Sequence, residues 1–254
     1  MEAKPGNYSD LTGKTAVVTG GSHGVGSGIC RELGRQGARV VVNGRDPVAI
    51  AATTEAVQAA GGTAIGIPAD VTDPHQLRSL RERAEHAFGP VDILCACTGG
   101  QGDPVSLAEL DLDAWNAGID VNLTSAFLTL REFVPPMTQR RSGAVVTIAS
   151  TAGRIASPSS PAYGAAKAGL IMLSRQTALQ VADADVRVNV IALGPVFEGK
   201  RVPQEIQDRV AQLHPLKRTG SWADVASAVA FLVSDASAWI TGTTLDLSGG
   251  RVML

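Results

Sequence analysis

The chain is short of cysteine, of charge of either sign in excess, and of long apolar runs. Three cysteines among 254 residues is an odd count in a large chain and speaks against a disulfide framework. Lys and Arg number 22 against 24 Asp and Glu, a formal charge of −2, so no broad basic surface for nucleic acid or anionic lipid is expected. No uninterrupted apolar run approaches the ~18 residues of a membrane span. Residues 1–11 are polar and lack the apolar core of a secretory signal, so a cytoplasmic location is the expectation. Cys30, Cys95 and Cys97, with His23, His75, His86 and His214, show no ligand spacing for a metal, and the thiols read as small core residues.

What the chain does contain is alternation. Short runs rich in β-branched residues recur at 14–19, 39–43, 63–67, 91–95, 144–149, 186–192 and 243–247. Between them, 25–36, 47–60, 73–88, 113–140, 161–182 and 221–234 carry helical periodicity. The runs are apolar almost throughout, as strands covered on both faces must be. No repeat, linker or low-complexity tract divides the sequence. Strand–helix–strand repeated in this way predicts one α/β domain over residues 1–254, doubly wound, with a mainly parallel sheet and helices on both faces. Residues 1–11 are expected to form a flexible tail and about 195–215 a substrate lid. Ligands on such sheets bind beyond the carboxyl ends of the strands.

The first of those ends is Thr19-Gly20-Gly21-Ser22-His23-Gly24-Val25-Gly26, running from a strand into a helix. Glycine there permits a tight turn and close approach of a pyrophosphate, while the helix N-terminus offers unpaired N–H groups to it. After the second strand, Asn43-Gly44-Arg45 stands where an NAD site usually carries a carboxylate for the ribose hydroxyls. That absence, with Arg45 and His23 as donors to a 2′-phosphate, favours NADP(H), NAD(H) being the alternative; Arg45 also reads as an ordinary solvated loop residue. Asp70 has two readings, an acceptor for the adenine amino group or the start of a turn.

Tyr163 and Lys167 are spaced i, i+4 on a helix that opens with Ser160 and Pro161, so they share one face. A nearby ammonium, helped by a cationic nicotinamide, is expected to lower the phenol's pKa and fit it for proton transfer. Ser150 ends the fifth strand and offers a hydroxyl to a substrate oxygen, or serves a turn. Asn122 either holds a water beside Lys167 or bonds to backbone.

In this order and spacing, Thr19-Gly20-x-x-x-Gly24-x-Gly26, Asp70-Val71, Asn122, Ser150, Tyr163-x-x-x-Lys167 and the tail Thr241-Gly242…Ser248-Gly249-Gly250 make the chain resemble a short-chain dehydrogenase/reductase over nearly its whole length, most similar to 3-oxoacyl-carrier-protein reductases and related ketoreductases. The resemblance implies a seven-stranded Rossmann sheet, a nicotinamide dinucleotide, and a proton relay of Asn122, Lys167, Tyr163 and Ser150. It implies cofactor contacts from Gly20, Ser22, His23, Gly24, Val25, Gly26, Gly44, Arg45, Asp70, Val71, Gly99, Gly194 and Val196, with Lys167 on the nicotinamide ribose. It further implies a small carbonyl or alcohol substrate, carrier-bound in some members, and a homo-oligomer, tetramer or dimer.

The chain departs from the family pattern in four places. Ala96-Cys97-Thr98-Gly99 replaces Asn-Asn-Ala-Gly, and Leu193-Gly194-Pro195 replaces a Pro-Gly pair. Glu198 stands for a Thr that bonds the carboxamide, and Ser248 for an Asp. Gln101-Gly102-Asp103-Pro104 and Arg154-Ile155-Ala156-Ser157 are expected to line the substrate mouth, beside a lid with mixed charges such as Lys200, Arg201 and Glu205.

Overall fold

The structure, a computed structural model, describes residues 6–199 and 202–253. Seven strands, β1 Thr15–Thr19, β2 Arg39–Gly44, β3 Thr63–Pro68, β4 Ile93–Ala96, β5 Gly143–Ser150, β6 Val186–Leu193 and β7 Thr244–Leu247, form one sheet. Their order is β3-β2-β1-β4-β5-β6-β7 and every pairing is parallel. Among the described residues eight α-helices accompany them: α1 Gly24–Arg35, α2 Pro47–Ala59, α3 Pro74–Phe88, α4 Leu112–Ile119, α5 Ser125–Arg140, α6 Pro161–Val181, α7 Gln204–Gln212 and α8 Trp222–Val233.

Strand residues alternate between two cores. Ala16, Val18, Val40, Val42, Ile93 and Cys95 pack toward α1, α2 and α8, whereas Val17, Val41 and Leu94 pack toward α3, α5 and α6. With both faces covered, a polar side chain has no dry-side cost-free position, which explains the unbroken apolar runs. Helix starts follow local chemistry. Asp46 and Asp73 accept from the first-turn N–H groups of α2 and α3, each followed by Pro at the first helical position. Ser221 and Asp224 close a reciprocal capping box at α8.

Three expectations change. The periodic stretch 113–140 is two helices, α4 and α5, separated by a π-helical turn at Asp120–Thr124. Within 195–215 lies α7, an additional helix. Of the expected tail, the described residues 6–11 are docked: Ser9–Leu11 forms a 3-10 turn, Leu11 is buried, and Tyr8 N donates to Gln36 Oε1 at 2.8 Å. Residues 1–5 lie outside the described residues. Strand order reverses between β1 and β4, so the loops after these two strands diverge and open a crevice.

Candidate active site

Thr19 pairs with Ala96 at the edge of that crevice, which brings the loop after β1 against the loop after β4. Gly20 and Gly24 have φ of +64° and +52°, in the left-handed region open to glycine. A Cβ on Gly20 would lie 3.0 Å from Thr98 N, and one on Gly26 would overlap the Gly20 carbonyl oxygen. The turn therefore exists only because its side chains are missing, and its bare backbone forms a cradle for an anion at the first turn of α1. His23 is the N-cap of α1 but makes no side-chain cap bond; its Nδ1 sits 2.9 Å from Ser22 Oγ. The first-turn N–H groups thus lack a side-chain acceptor, as a phosphate site requires. Gly44 packs under Ser22, whose carbonyl accepts from Thr53 Oγ1 at 3.1 Å. These contacts fit a dinucleotide's pyrophosphate.

Asn43, a residue the sequence reading passed over except as a missing acid, is buried. Its Nδ2 donates to the carbonyls of Ile67 and Ala69 at 3.1 and 3.2 Å, tying β2 to the end of β3. Arg45 lies beyond it with 78% of its side chain exposed, Nη1 3.9 Å from Asp70 Oδ2. Asp70 accepts from Thr72 N at 2.9 Å and Thr72 Oγ1 at 2.7 Å, and these bonds, more than Arg45, hold its carboxyl below the usual range. Asp70 shapes the turn here, with Arg45 beside it. Val71 is buried in the core below it.

On the other side of the crevice, β5 delivers Ser150 and α6 delivers Tyr163 and Lys167. The Ser150 hydroxyl donates to Leu193 O at 3.5 Å and accepts from Ala152 N at 3.1 Å, and it stands near enough to the Tyr163 phenol to favour phenolate. Lys167 is 4% exposed; its Nζ donates to the Ile148 carbonyl at 3.0 Å and lies 5.7 Å from the centroid of the Tyr163 ring. Burial pulls the Lys167 ammonium down to about 8. In place of the lowering expected from Lys167, burial raises the Tyr163 pKa, and the nearby Ser150 hydroxyl offsets only part of that rise. Removing water disfavours phenolate more than its surroundings favour it.

Asn122 occupies the π-helical turn between α4 and α5. The widened turn aims its amide inward, where Nδ2 donates to Gly118 and Gly100 carbonyls at 3.0 and 2.9 Å and Oδ1 accepts from Gly100 N at 3.1 Å. Asn122 thus bonds to backbone on both sides of its turn. Gly99 sits between the two: a Cβ there would lie 2.7 Å from Asn122 Oδ1 and 2.9 Å from Lys167 Nζ. Gly153, unremarked in the sequence, plays a similar part. Its Cβ would lie 2.6 Å from the Lys167 carbonyl carbon, so the turn after Ser150 rests directly on α6. A glycine three residues past a strand end was the available signal.

The departures resolve structurally. Gly194 N donates to Leu247 O at 3.0 Å, and Val196 bridges to Gly220, so the first residues of the expected lid run along the segment before α8. Glu198 turns toward α8 and accepts from Trp222 N at 2.7 Å, a carboxylate placed at a helix N-terminus. Ser248 is buried and accepts from Val252 N at 3.0 Å. Burial pushes the Cys97 thiol up to about 12, which keeps it neutral. Ser160 is the N-cap of α6 without a side-chain cap bond, leaving Pro161 to set the start. Arg154, expected at the mouth, is folded inward onto Asp246 of β7.

Comparison with known proteins agrees with this geometry. Residues 20–251 match the family model described as enoyl-(acyl carrier protein) reductase. Glucose 1-dehydrogenase 2 of Bacillus subtilis is 34% identical over 251 residues, covering 97% of each chain. A 3-oxoacyl-[acyl-carrier-protein] reductase of Staphylococcus epidermidis is 32% identical over 245 residues, covering 94% of this chain and 99% of that one. The crystal structure of levodione reductase superposes with a TM-score of 0.90 at 25% identity, over 94% of this chain and 98% of the other. A glycine cradle at the strand-order reversal, a tyrosine and lysine on one helix face beside a strand-end serine, and these full-length likenesses lead to one assignment: the chain belongs to the short-chain dehydrogenase/reductase family, oxidoreductases of alcohols and ketones that use a nicotinamide dinucleotide.

Proposed function

We propose that the chain catalyses NADP(H)-dependent interconversion of a carbonyl compound and its secondary alcohol, with Tyr163 as acid and base. The observation that carries this reading is the meeting of Ser150, Tyr163 and Lys167 across the crevice from a bare-backbone cradle. Gly20, Ser22, His23, Gly24, Val25 and Gly26 would hold the pyrophosphate, with Gly44, Arg45, Asp70 and Val71 toward the adenosine. Gly99, Gly194 and Val196 would flank the nicotinamide. The bound dinucleotide supplies or accepts the hydride. Tyr163 Oη donates its proton to the oxygen of the reduced carbonyl, or takes it from the alcohol in reverse. Ser150 donates to the same oxygen as negative charge builds there. Lys167, cationic below its pKa of about 8, faces the phenol ring and attracts the phenolate as it forms. Asn122 fixes the Gly100 loop beside Lys167.

Two features support NADP(H) over NAD(H): the amide of Asn43 is consumed within the sheet, leaving no carboxylate at the end of β2, and Arg45 reaches solvent. One favours NAD(H), the Asp70 carboxylate already facing Arg45. The same reading takes the protein to be cytoplasmic and a homo-oligomer, tetramer or dimer. Fully exposed Trp239, with Leu179 and Met172 on α6, supports the latter, and a monomeric mass by light scattering would refute it. The substrate is a small carbonyl compound, free or carrier-bound. Purified protein is expected to consume NADPH with at least one member of a ketone and 3-oxoacyl thioester panel, and faster than NADH. Binding of neither dinucleotide, or turnover undiminished in Tyr163→Phe, overturns the proposal.

A further inference from the structure

We infer that the buried ion pair between Arg154 and Asp246 is a positioning device, which holds the turn carrying the Ser150 hydroxyl against Tyr163. The inference deepens the proposed reaction and rests on it for its consequence in turnover, though not for its geometry.

Ser150 is the last residue of β5 and stands in register with Leu193 of β6, which in turn faces Leu247 of β7. The chain then enters the 3-10 turn Thr151–Gly153. Ser150 caps that turn itself, its Oγ accepting from Ala152 N at 3.1 Å. Hydroxyl and turn are therefore one unit, and any shift of the turn moves the oxygen that meets the phenol. Two contacts hold the unit from outside. On one side Gly153 presses on the α6 backbone at Lys167 and Ala168. On the other, Arg154 N closes the turn on Thr151 O at 2.9 Å while its guanidinium spans β6 to reach Asp246, Nη2 to Oδ2 at 2.9 Å. The side chains are 12% and 10% exposed. Immediately beyond Arg154, residues 155–158 are exposed, so the pair stands between a solvent-facing loop and the serine.

Stability alone does not account for the pair. Asp246 Oδ1 is buried without a hydrogen-bond partner, and an incompletely satisfied buried ion pair is generally matched or bettered by apolar side chains of similar volume. What apolar side chains cannot do is fix a turn in one orientation through a directional charge-assisted bond across a neighbouring strand.

The test separates positioning from packing. The chain has 2 tyrosines, so the difference between ultraviolet pH titrations of the protein and of Tyr163→Phe isolates the Tyr163 phenol. Ser150→Ala is expected to raise its midpoint, since the nearby hydroxyl favours phenolate against the effect of burial. Arg154→Met/Asp246→Leu, which removes both charges and keeps thermal stability near that of the parent, is expected to raise the midpoint equally. Adding Ser150→Ala to that double variant should then add nothing. The double variant's kcat should fall about tenfold, the scale of a hydroxyl displaced by a fraction of an ångström, with KM for NADPH unchanged. Single variants that leave one charge buried alone are expected to melt earlier, and where they fail to fold the charge-free double variant carries the test. A double variant with the parent's midpoint, or one in which Ser150→Ala still has its full effect, overturns the inference. The titration requires no turnover, so failure of every ketone in the panel would sink the proposed reaction and leave this result standing.

Discussion

Lys167 keeps 4% of its surface in solvent and bonds to a strand carbonyl, whereas Arg45, across the same crevice, is almost wholly exposed and touches only a carboxylate 3.9 Å away. The half proposed to handle the proton is built from β4, β5, the π-helical turn and α6, locked by glycines at 99 and 153 that admit no side chain. In the adenosine half Asn43 is tied to β3, but the exposed groups beyond it rest on local contacts, Thr72 on Asp70, or on the distant pair of Arg45 and Asp70. Buried geometry set by distant elements is stiff and its electrostatics are strong; exposed geometry set by neighbours is adaptable and screened. Chemistry is thus conserved in position by packing, while cofactor preference is open to change one residue at a time.

Four substitutions probe this contrast. The largest effect is expected at the centre of the stiff half: Tyr163→Phe should lower kcat by about 10²- to 10⁴-fold, the usual scale for a lost proton donor, with NADPH binding by fluorescence titration retained. Retained binding with lost turnover would show that the two halves act separately.

Next comes Lys167→Met, which should abolish most turnover and also change how stability depends on pH. The folded pKa of about 8 lies below the ordinary lysine value, so the unfolded chain holds more protons between about 8 and 10.5. Stability should therefore rise as pH rises through that window, the buried ammonium costing its full penalty below it, on the order of 3 kcal/mol. Urea melts between pH 7 and 10 are expected to show this rise in the parent and a flatter profile in Lys167→Met. Equal slopes would mean that Lys167 is hydrated.

A smaller effect is expected at the adaptable half. Arg45→Ala should raise KM for NADPH about tenfold, the value of one charge-assisted bond to phosphate, and leave KM for NADH and the kcat of either unchanged. A matching rise for both dinucleotides would transfer the preference to another group. The smallest effect is expected for Asp70→Asn. Thr72 keeps an acceptor and the exposed partnership with Arg45 contributes little, so thermal stability should move by about 0.5 kcal/mol or less, while KM for NADPH falls as Arg45 is released. Loss of stability well beyond that would make the turn at Asp70 as rigid as the tyrosine side.

Local and periodic features were the legible ones. All seven strands lie within two residues of where apolar runs indicate them; the central ones are buried on both faces and have no polar register to obscure them, while the edge strands β3 and β7 are part-exposed. Tyr163 and Lys167 share a face by helical spacing alone. The division of 113–140 was not legible: a π-helical turn inserts one residue, shifting the helical face without breaking its apolar character. Helix α7 escaped notice because none of its residues is buried, leaving no core stripe to read. Leu11 looks like part of a polar tail until the core that takes it in, drawn from α1, α8 and the strands, is assembled. The direction of the Tyr163 shift was misjudged for a related reason. Charge partners are suggested by spacing, but exclusion of water depends on every element that closes over the site.

From the order of its residues alone, this chain carries its doubly wound topology, its phosphate-turn glycines and the pairing of a phenol with an amine, since each is enforced by contacts within one strand, turn or helix. Only the folded sheet decided that Asn122 would bond to Gly100, that Glu198 would turn to α8, and that Arg154 would reach across β6 to Asp246. Those outcomes join residues 22 to 92 positions apart, where the choice among partners belongs to the three-dimensional arrangement of the strands and to the burial it creates.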